Sequence, residues 1–241
     1  MNSHCILLPG LLCDEAVWDA QVRALQAHGV ACHVPSYGEI DSLQAMARSV
    51  LAAAPAERFA LAGHSMGARV ALEVLRLAPQ RVQRLALLDT GVDPLPAGEA
   101  GERERARRME LLGLARERGM RAMGREWARG MVHPSRWDGP VFASILDMLE
   151  RKTPAVYEAQ IRALLGRPDA RPLLATLRCP LLLGCGRDDA WSPLARHEEM
   201  HALVPGSRLV AFEHSGHMVT MEQPQAVSDA LLDWMEAKPR T

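Results

Sequence analysis

Residues 61–72 read LAGHSMGARVAL, with Ser65 set between Gly63 and Gly67. A serine hydroxyl attacks a carbonyl only when it is exposed and a base takes its proton. An apolar run precedes this serine and a helical pattern follows it, so Ser65 falls on a strand-to-helix turn. A non-glycine residue held on so sharp a bend is strained, and Gly63 and Gly67 supply the room it needs. The bend lifts the serine oxygen above a sheet and aims the first N–H groups of the helix at the same spot. Gly63-His64-Ser65-Met66-Gly67 therefore has the pattern of a nucleophile elbow.

The base is sought among nine histidines. His217, in FEHSGHMVTMEQP, follows the last apolar run, where a loop at the carboxyl edge of a sheet reaches back over Ser65. His214, three residues earlier, is the alternative and reads as a strand end. His64 lies on the elbow itself, and its expected role is packing or hydrogen bonding. The base needs a carboxylate to fix its tautomer and stabilise the imidazolium. LLLGCGRDDAWSP places Asp188 and Asp189 after the penultimate apolar run. Asp89 and Asp93, in LLDTGVDP, are competing positions whose plainer reading is a cap or a turn. Donors for a developing oxyanion are expected from two amides. One is Met66 N–H, directly after the serine. The other is Leu11 N–H in LLPGLLCDEAVW, where Gly10 turns the backbone.

Positioning these groups requires a sheet. Short β-type runs fall near His4–Leu8, Val30–Val34, Phe59–Ala62, Arg84–Asp89, Pro180–Gly184 and Arg208–Phe212. Helical patterns fit over Asp14–His28, Leu43–Ala54, Met66–Ala78, Pro193–Leu203 and Gln225–Ala237. Apolar strands separated by helices imply an α/β fold, a mostly parallel sheet with helices on both faces. The stretch from Gly91 to Leu177 has no convincing strand, and its helical patterns break at Gly113, Gly119, Gly130, Pro134, Gly139, Pro154 and Pro168. The expected division is a core over 1–90, an inserted helical cap over 91–177, and a returning core over 178–241. The closing KPRT reads as a frayed end.

The 241 residues are 48% hydrophobic, which suits one domain with a sizeable core, and the net charge of −1 offers no field to recruit nucleic acid or an anionic membrane. CILLPGLLC is too short to span a bilayer and lacks a basic leader, so a cytoplasmic protein is expected. Five cysteines without CxxC spacing read as free thiols, with no zinc site.

With these motifs in order, the chain resembles the α/β-hydrolase superfamily, among small serine esterases with a helical cap. The resemblance is closest to the group containing the pimeloyl-carrier-protein methyl ester esterases. It rests on LLPGLLCDEAVW, AGHSMGA, GRDDAWSP and SGHMVTMEQP and covers nearly everything outside the cap. It implies that the acid stands three residues after the glycine of G-x-x-D-x-x-x-P, which selects Asp189, counted from Gly186 and closed by Pro193. Two departures stand out. Pro9-Gly10 replaces the usual His-Gly before the oxyanion residue. The chain also starts at what the family counts as its third strand, so about six strands, all parallel, are expected.

The resemblance implies acyl transfer to water, from a small-molecule carboxylic ester or thioester, with no metal or organic cofactor. A carbon–carbon bond hydrolase or lyase would use the same triad, and a non-enzymatic ligand receptor would keep only the fold. Between residues 101 and 130, nine arginines face five glutamates. The plain reading is a solvated face with pairs such as Glu104–Arg108 and Glu117–Arg121. The sharper one is a basic patch for an acidic acyl-carrier protein or another anionic substrate. Met109, Met120, Met123, Met131, Trp127 and Trp137 are candidates to line an acyl pocket.

Overall fold

The computed structural model describes residues 3–237, so the KPRT tail lies outside the described residues. Six strands, β1 (His4–Leu8), β2 (Ala31–His33), β3 (Phe59–His64), β4 (Val82–Leu88), β5 (Leu181–Gly186) and β6 (Arg208–Phe212), form one sheet in the order β2-β1-β3-β4-β5-β6. Every pairing is parallel. β3 and β5 are buried at every position. That is why they read as continuous apolar runs rather than alternating ones: helices cover both faces.

The helices of the α/β layers are α1 (Asp19–Ala27), α2 (Leu43–Ala53) and α3 (Met66–Leu77) before the insert. After it come α9 (Leu194–Leu203), α10 (Val219–Glu222) and α11 (Pro224–Glu236). The chain leaves β1 toward one edge of the sheet and leaves β3 toward the other. Right-handed crossovers therefore put α1 and α3 on opposite faces, and α1 packs with α11 while α2 packs with α3. The reversal of direction opens a crevice at the carboxyl ends of β1 and β3, where such sheets bind ligands. The expected helix from Asp14 begins instead as a 3-10 turn, Glu15–Trp18. The Asp14 carboxylate accepts from Ala16 N–H there and caps it.

Between β4 and β5 lie α4 (Glu99–Arg118), α5 (Met120–Ala128), α6 (Pro140–Glu150), α7 (Pro154–Leu165) and α8 (Arg171–Ala175). α4 runs straight through Gly113, where a break was expected; a lone glycine among strong helix formers costs only about 1 kcal/mol. Gly119, at φ +86°, does end α4. That break also separates Glu117 from Arg121, so their expected helical pair does not form. Arg121 instead meets Asp147 and Glu150 of α6, each at 2.7 Å. The Glu104–Arg108 pair is present at 2.8 Å.

Gly67 is fixed by packing. A Cβ there would sit 2.1 Å from the carbonyl oxygen of Leu8, because α3 starts directly against the end of β1. Gly67→Ala should lower the unfolding free energy by about 3 kcal/mol through overpacking against backbone that cannot retreat. Gly113→Ala, whose Cβ meets nothing within 4 Å, should raise it by about 1 kcal/mol. Urea unfolding of the two variants checks both signs.

Candidate active site

Ser65 stands between β3 and α3 with φ +55° and ψ −115°, a strained conformation for a residue with a Cβ. Its surroundings hold it there. Ser65 N–H donates to Leu88 O at 2.8 Å, and Thr90 Oγ1 donates to Ser65 O at 3.1 Å. A Cβ on Gly63 would meet Ala68 N and Cα at 2.5 Å, so the strand can approach its own helix only as glycine.

His217 Nε2 lies 2.8 Å from Ser65 Oγ, and His217 Nδ1 lies 2.8 Å from Asp189 Oδ2. With Nδ1–H donating to the carboxylate, Nε2 is left as an acceptor for the serine proton. Asp189 is buried, and its second oxygen accepts from Trp191 N–H at 2.8 Å and Ser192 N–H at 2.9 Å. Burial alone would raise its pKa. The His217 charge and hydrogen bond, with those two amides, outweigh burial and hold it at about 2.

The other candidates sit elsewhere. Asp188 lies at the surface, 3.8 Å from His133. Asp93 is 3.3 Å from Arg171, and the ring of His214 stands edge-on to His133. Asp89 is fully buried and accepts from Gly186 N–H at 3.1 Å and Val219 N–H at 3.3 Å, tying the loop after β5 to the histidine loop. Burial, and then the Asp189 charge, push its pKa well above the usual carboxylate range. His64 Nε2 donates to the carbonyl of His217 at 2.7 Å, so the turn after β3 grips His217 by its backbone. A Cβ on Gly10 would come within 2.9 Å of His64 Nδ1.

Three supports were not legible in the sequence. Glu222 accepts from the amides of His133, Gly216 and Met218 at 2.7, 2.9 and 3.3 Å, which shapes the histidine loop. His217 N–H donates to Met131 O in the insert. Gln160 of α7 accepts from Leu12 N–H at 2.8 Å and donates to Gly38 O at 3.3 Å. It braces the loop after β1 in which Leu12 turns at φ +60°. No spacing rule joins residues 148 positions apart.

Ser65, His217, Leu11 and Met66 line one cavity of about 550 Å³ beneath the insert. Met131 and Trp127 line it too. Met120 and Met123 are buried in the insert's own core, while Met109 and Trp137 point outward at 45% exposure, so these four do not line it. Trp191 lies with its ring 5.0 Å from His217 and stacks on Trp127 at 5.5 Å. No group of His, Cys, Asp and Glu side chains among the described residues is arranged to hold a metal ion.

A model of the alpha/beta hydrolase family matches residues 5–230. The chain belongs to that family. This hydrolase is 28% identical over 236 residues to a pimeloyl-[acyl-carrier protein] methyl ester esterase of Nitrosomonas europaea, covering 91% of this chain and 90% of that protein. It is also 28% identical over 211 residues to the AB hydrolase superfamily protein YclE of Bacillus subtilis, covering 75% and 69%. Among solved structures, a malate-bound thermophilic esterase from Thermogutta terrifontis superposes with a TM-score of 0.85 at 25% identity, covering 97% of this chain and 89% of that one. An enol-lactonase from Burkholderia xenovorans LB400 shares the fold, with a TM-score of 0.84 at 19% identity over 98% and 92% of the two chains. No helix among the described residues is long and apolar enough to cross a membrane.

The depressed pKa of Asp189 has a consequence for stability. Its contribution is full above the ordinary value of 3.8 and is lost as the pH falls toward about 2. Asp189→Asn has no charge to lose there. Its unfolding free energy, measured in urea at about pH 5 and about pH 3, should fall less over that interval than that of the unsubstituted protein.

Proposed function

We propose that this hydrolase cleaves a carboxylic ester or thioester through an acyl-enzyme on Ser65. The observation that carries the reading is the hydrogen-bonded chain Ser65–His217–Asp189, with both contacts at 2.8 Å. His217 Nε2 takes the serine proton as Oγ adds to the substrate carbonyl. The oxyanion so formed is met by the amides of Met66, at the open N-terminus of α3, and of Leu11. Collapse expels the alcohol or thiol, which takes the proton from His217. Water, deprotonated by the same ring, then releases the acid. Asp189 keeps Nδ1 protonated and stabilises the imidazolium in both halves.

Residues 91–177 serve in this reading as the cap over the core, and Trp127 and Met131 give the acyl chain an apolar wall. The relatives named as acyl-carrier-protein ester esterases make a carrier-linked acyl ester one candidate substrate. Arg103, Arg108, Arg116 and Arg121 are taken up by carboxylates. Arg118, Arg125 and Arg129 gather around one shallow surface depression on the insert and are the better-placed cations for an acidic carrier.

Two measurements test the reading. With p-nitrophenyl esters of graded chain length, Ser65→Ala and Asp189→Asn should each lower kcat by about 10⁴ or more, whereas Asp188→Asn should stay within about twofold. Equal and mild losses at Asp189 and Asp188 would remove the acid from its role. Charge reversal at Arg118 and Arg125 together should cut kcat/KM for a carrier-linked ester by roughly tenfold and leave a p-nitrophenyl ester unaffected, with added salt weakening the difference. Matching effects on the two substrates would exclude carrier docking at this face.

A further inference from the structure

Arginine side chains enter the cavity that holds Ser65, and the neighbouring carboxylates do not satisfy all of them. Arg69 stands one helical turn beyond Ser65 on α3 and lines the cavity together with Arg196 and Arg107. Its only side-chain hydrogen bond among the described residues runs from Nη1 to the backbone carbonyl of Asp93, at 2.9 Å. The carboxylates nearest to it are engaged elsewhere. Glu104 takes Arg108 at 2.8 Å and Arg167 at 2.7 Å, and the Asp93 carboxylate turns to Arg171 at 3.3 Å.

Arg196, on α9, reaches the same place. A Cβ on Gly91 would lie 3.6 Å from Arg69 Nη2 and 3.7 Å from Arg196 Nη1, so the two guanidinium groups converge on one glycine of the loop after β4. That loop is joined to the nucleophile elbow through Thr90. Arg196 makes no side-chain hydrogen bond or ion pair among the described residues. Burial, and then the charge of Arg167, draw the Arg69 pKa down to about 9. That is the cost of keeping a cation there without a carboxylate of its own, and Arg69 still carries its charge near neutral pH.

We infer that Arg69 and Arg196 form an anion subsite that holds a carboxylate on the substrate, so that the preferred ester is a half-ester of a dicarboxylic acid. The inference rests on the esterase reading for its chemistry. A planar guanidinium fork matches a carboxylate in two parallel hydrogen bonds, and the partial burial of Arg69 strengthens them. The wall formed by Trp127 and Met131 faces the carbon chain between the two ends. One end of the substrate is then fixed electrostatically and the other is presented to Ser65, a positioning that neutral esters lack.

The test compares monoethyl glutarate with diethyl glutarate and ethyl butyrate, and measures glutarate binding to the Ser65→Ala protein by calorimetry. The unsubstituted enzyme should favour the half-ester in kcat/KM by about ten- to hundredfold, mostly through KM. Arg69→Gln should lose most of that preference, falling far more on the half-ester than on the neutral esters. Arg196→Gln, at an exposed position where folding is not at stake, should lose part of it in the same direction. Glutarate should bind Ser65→Ala, and binding should weaken at least tenfold when Arg69→Gln is added.

No preference for the half-ester, or equal losses on all three esters in a folded Arg69→Gln enzyme, would overturn the subsite. A preference that survives both arginine substitutions would overturn it as well. The two readings fail separately. Absence of hydrolysis with every ester would sink the esterase reading, while arginine-dependent glutarate binding would still support the anion subsite.

Discussion

The backbone of Ser65, held at φ +55°, is the constraint around which the rest of this molecule is arranged. A left-handed conformation at a residue with a Cβ costs on the order of 1–3 kcal/mol and persists only where the surroundings over-determine it. Here the amide is paired to the end of β4, the carbonyl is held by Thr90, and two close approaches admit only glycine. Gly63 lets β3 touch α3, and Gly67 lets α3 touch the end of β1. The strain thus places one hydroxyl at the point where three strands, β1, β3 and β4, end together.

Around that hydroxyl, buried acids do different work according to what faces them. Asp189 accepts from an imidazole and two amides and is held near 2. Asp89 and Glu222 are also buried but take their hydrogen bonds mainly from backbone amides, and burial raises both. These two organise loops. Asp89 links the loop that carries Asp189 to the loop that carries His217, and Glu222 gathers three amides around the histidine turn. The insert completes the clamp, since Met131 accepts from His217 N–H and Gly216 passes too close to Met131 and Val132 for any side chain.

The arginines of the chain divide in a comparable way. Along α4 and α5 several are neutralised by carboxylates on their own helix or on α6 and α7, and such exposed pairs add little stability each. Arg69 and Arg196 are different in kind. They meet at the cavity wall, Arg196 exposed and Arg69 buried more deeply, and a buried guanidinium without a carboxylate of its own is expensive to keep. Substrate charge, more than fold, is what such a pair would select.

The sequence by itself determined the parallel order of β and α elements and the elbow, because both are written in local pattern. A fully buried strand must be apolar throughout, and a strand-to-helix turn this tight must carry glycines two residues to either side. It also pointed to the segments bearing Asp189 and His217, because those lie just after strand ends and matched a known family's loops. Only the tertiary structure decided the rest. What Asp89 and Glu222 hold, and how Gln160 braces a loop 148 residues away, depend on contacts between segments distant in the chain. The same holds for the two kinds of arginine, since a guanidinium reads identically in sequence whether it meets water, a glutamate or an enclosed cavity. Local chemistry fixes backbone conformation within a few residues, whereas charge and hydrogen-bond satisfaction are settled by whatever the fold brings alongside.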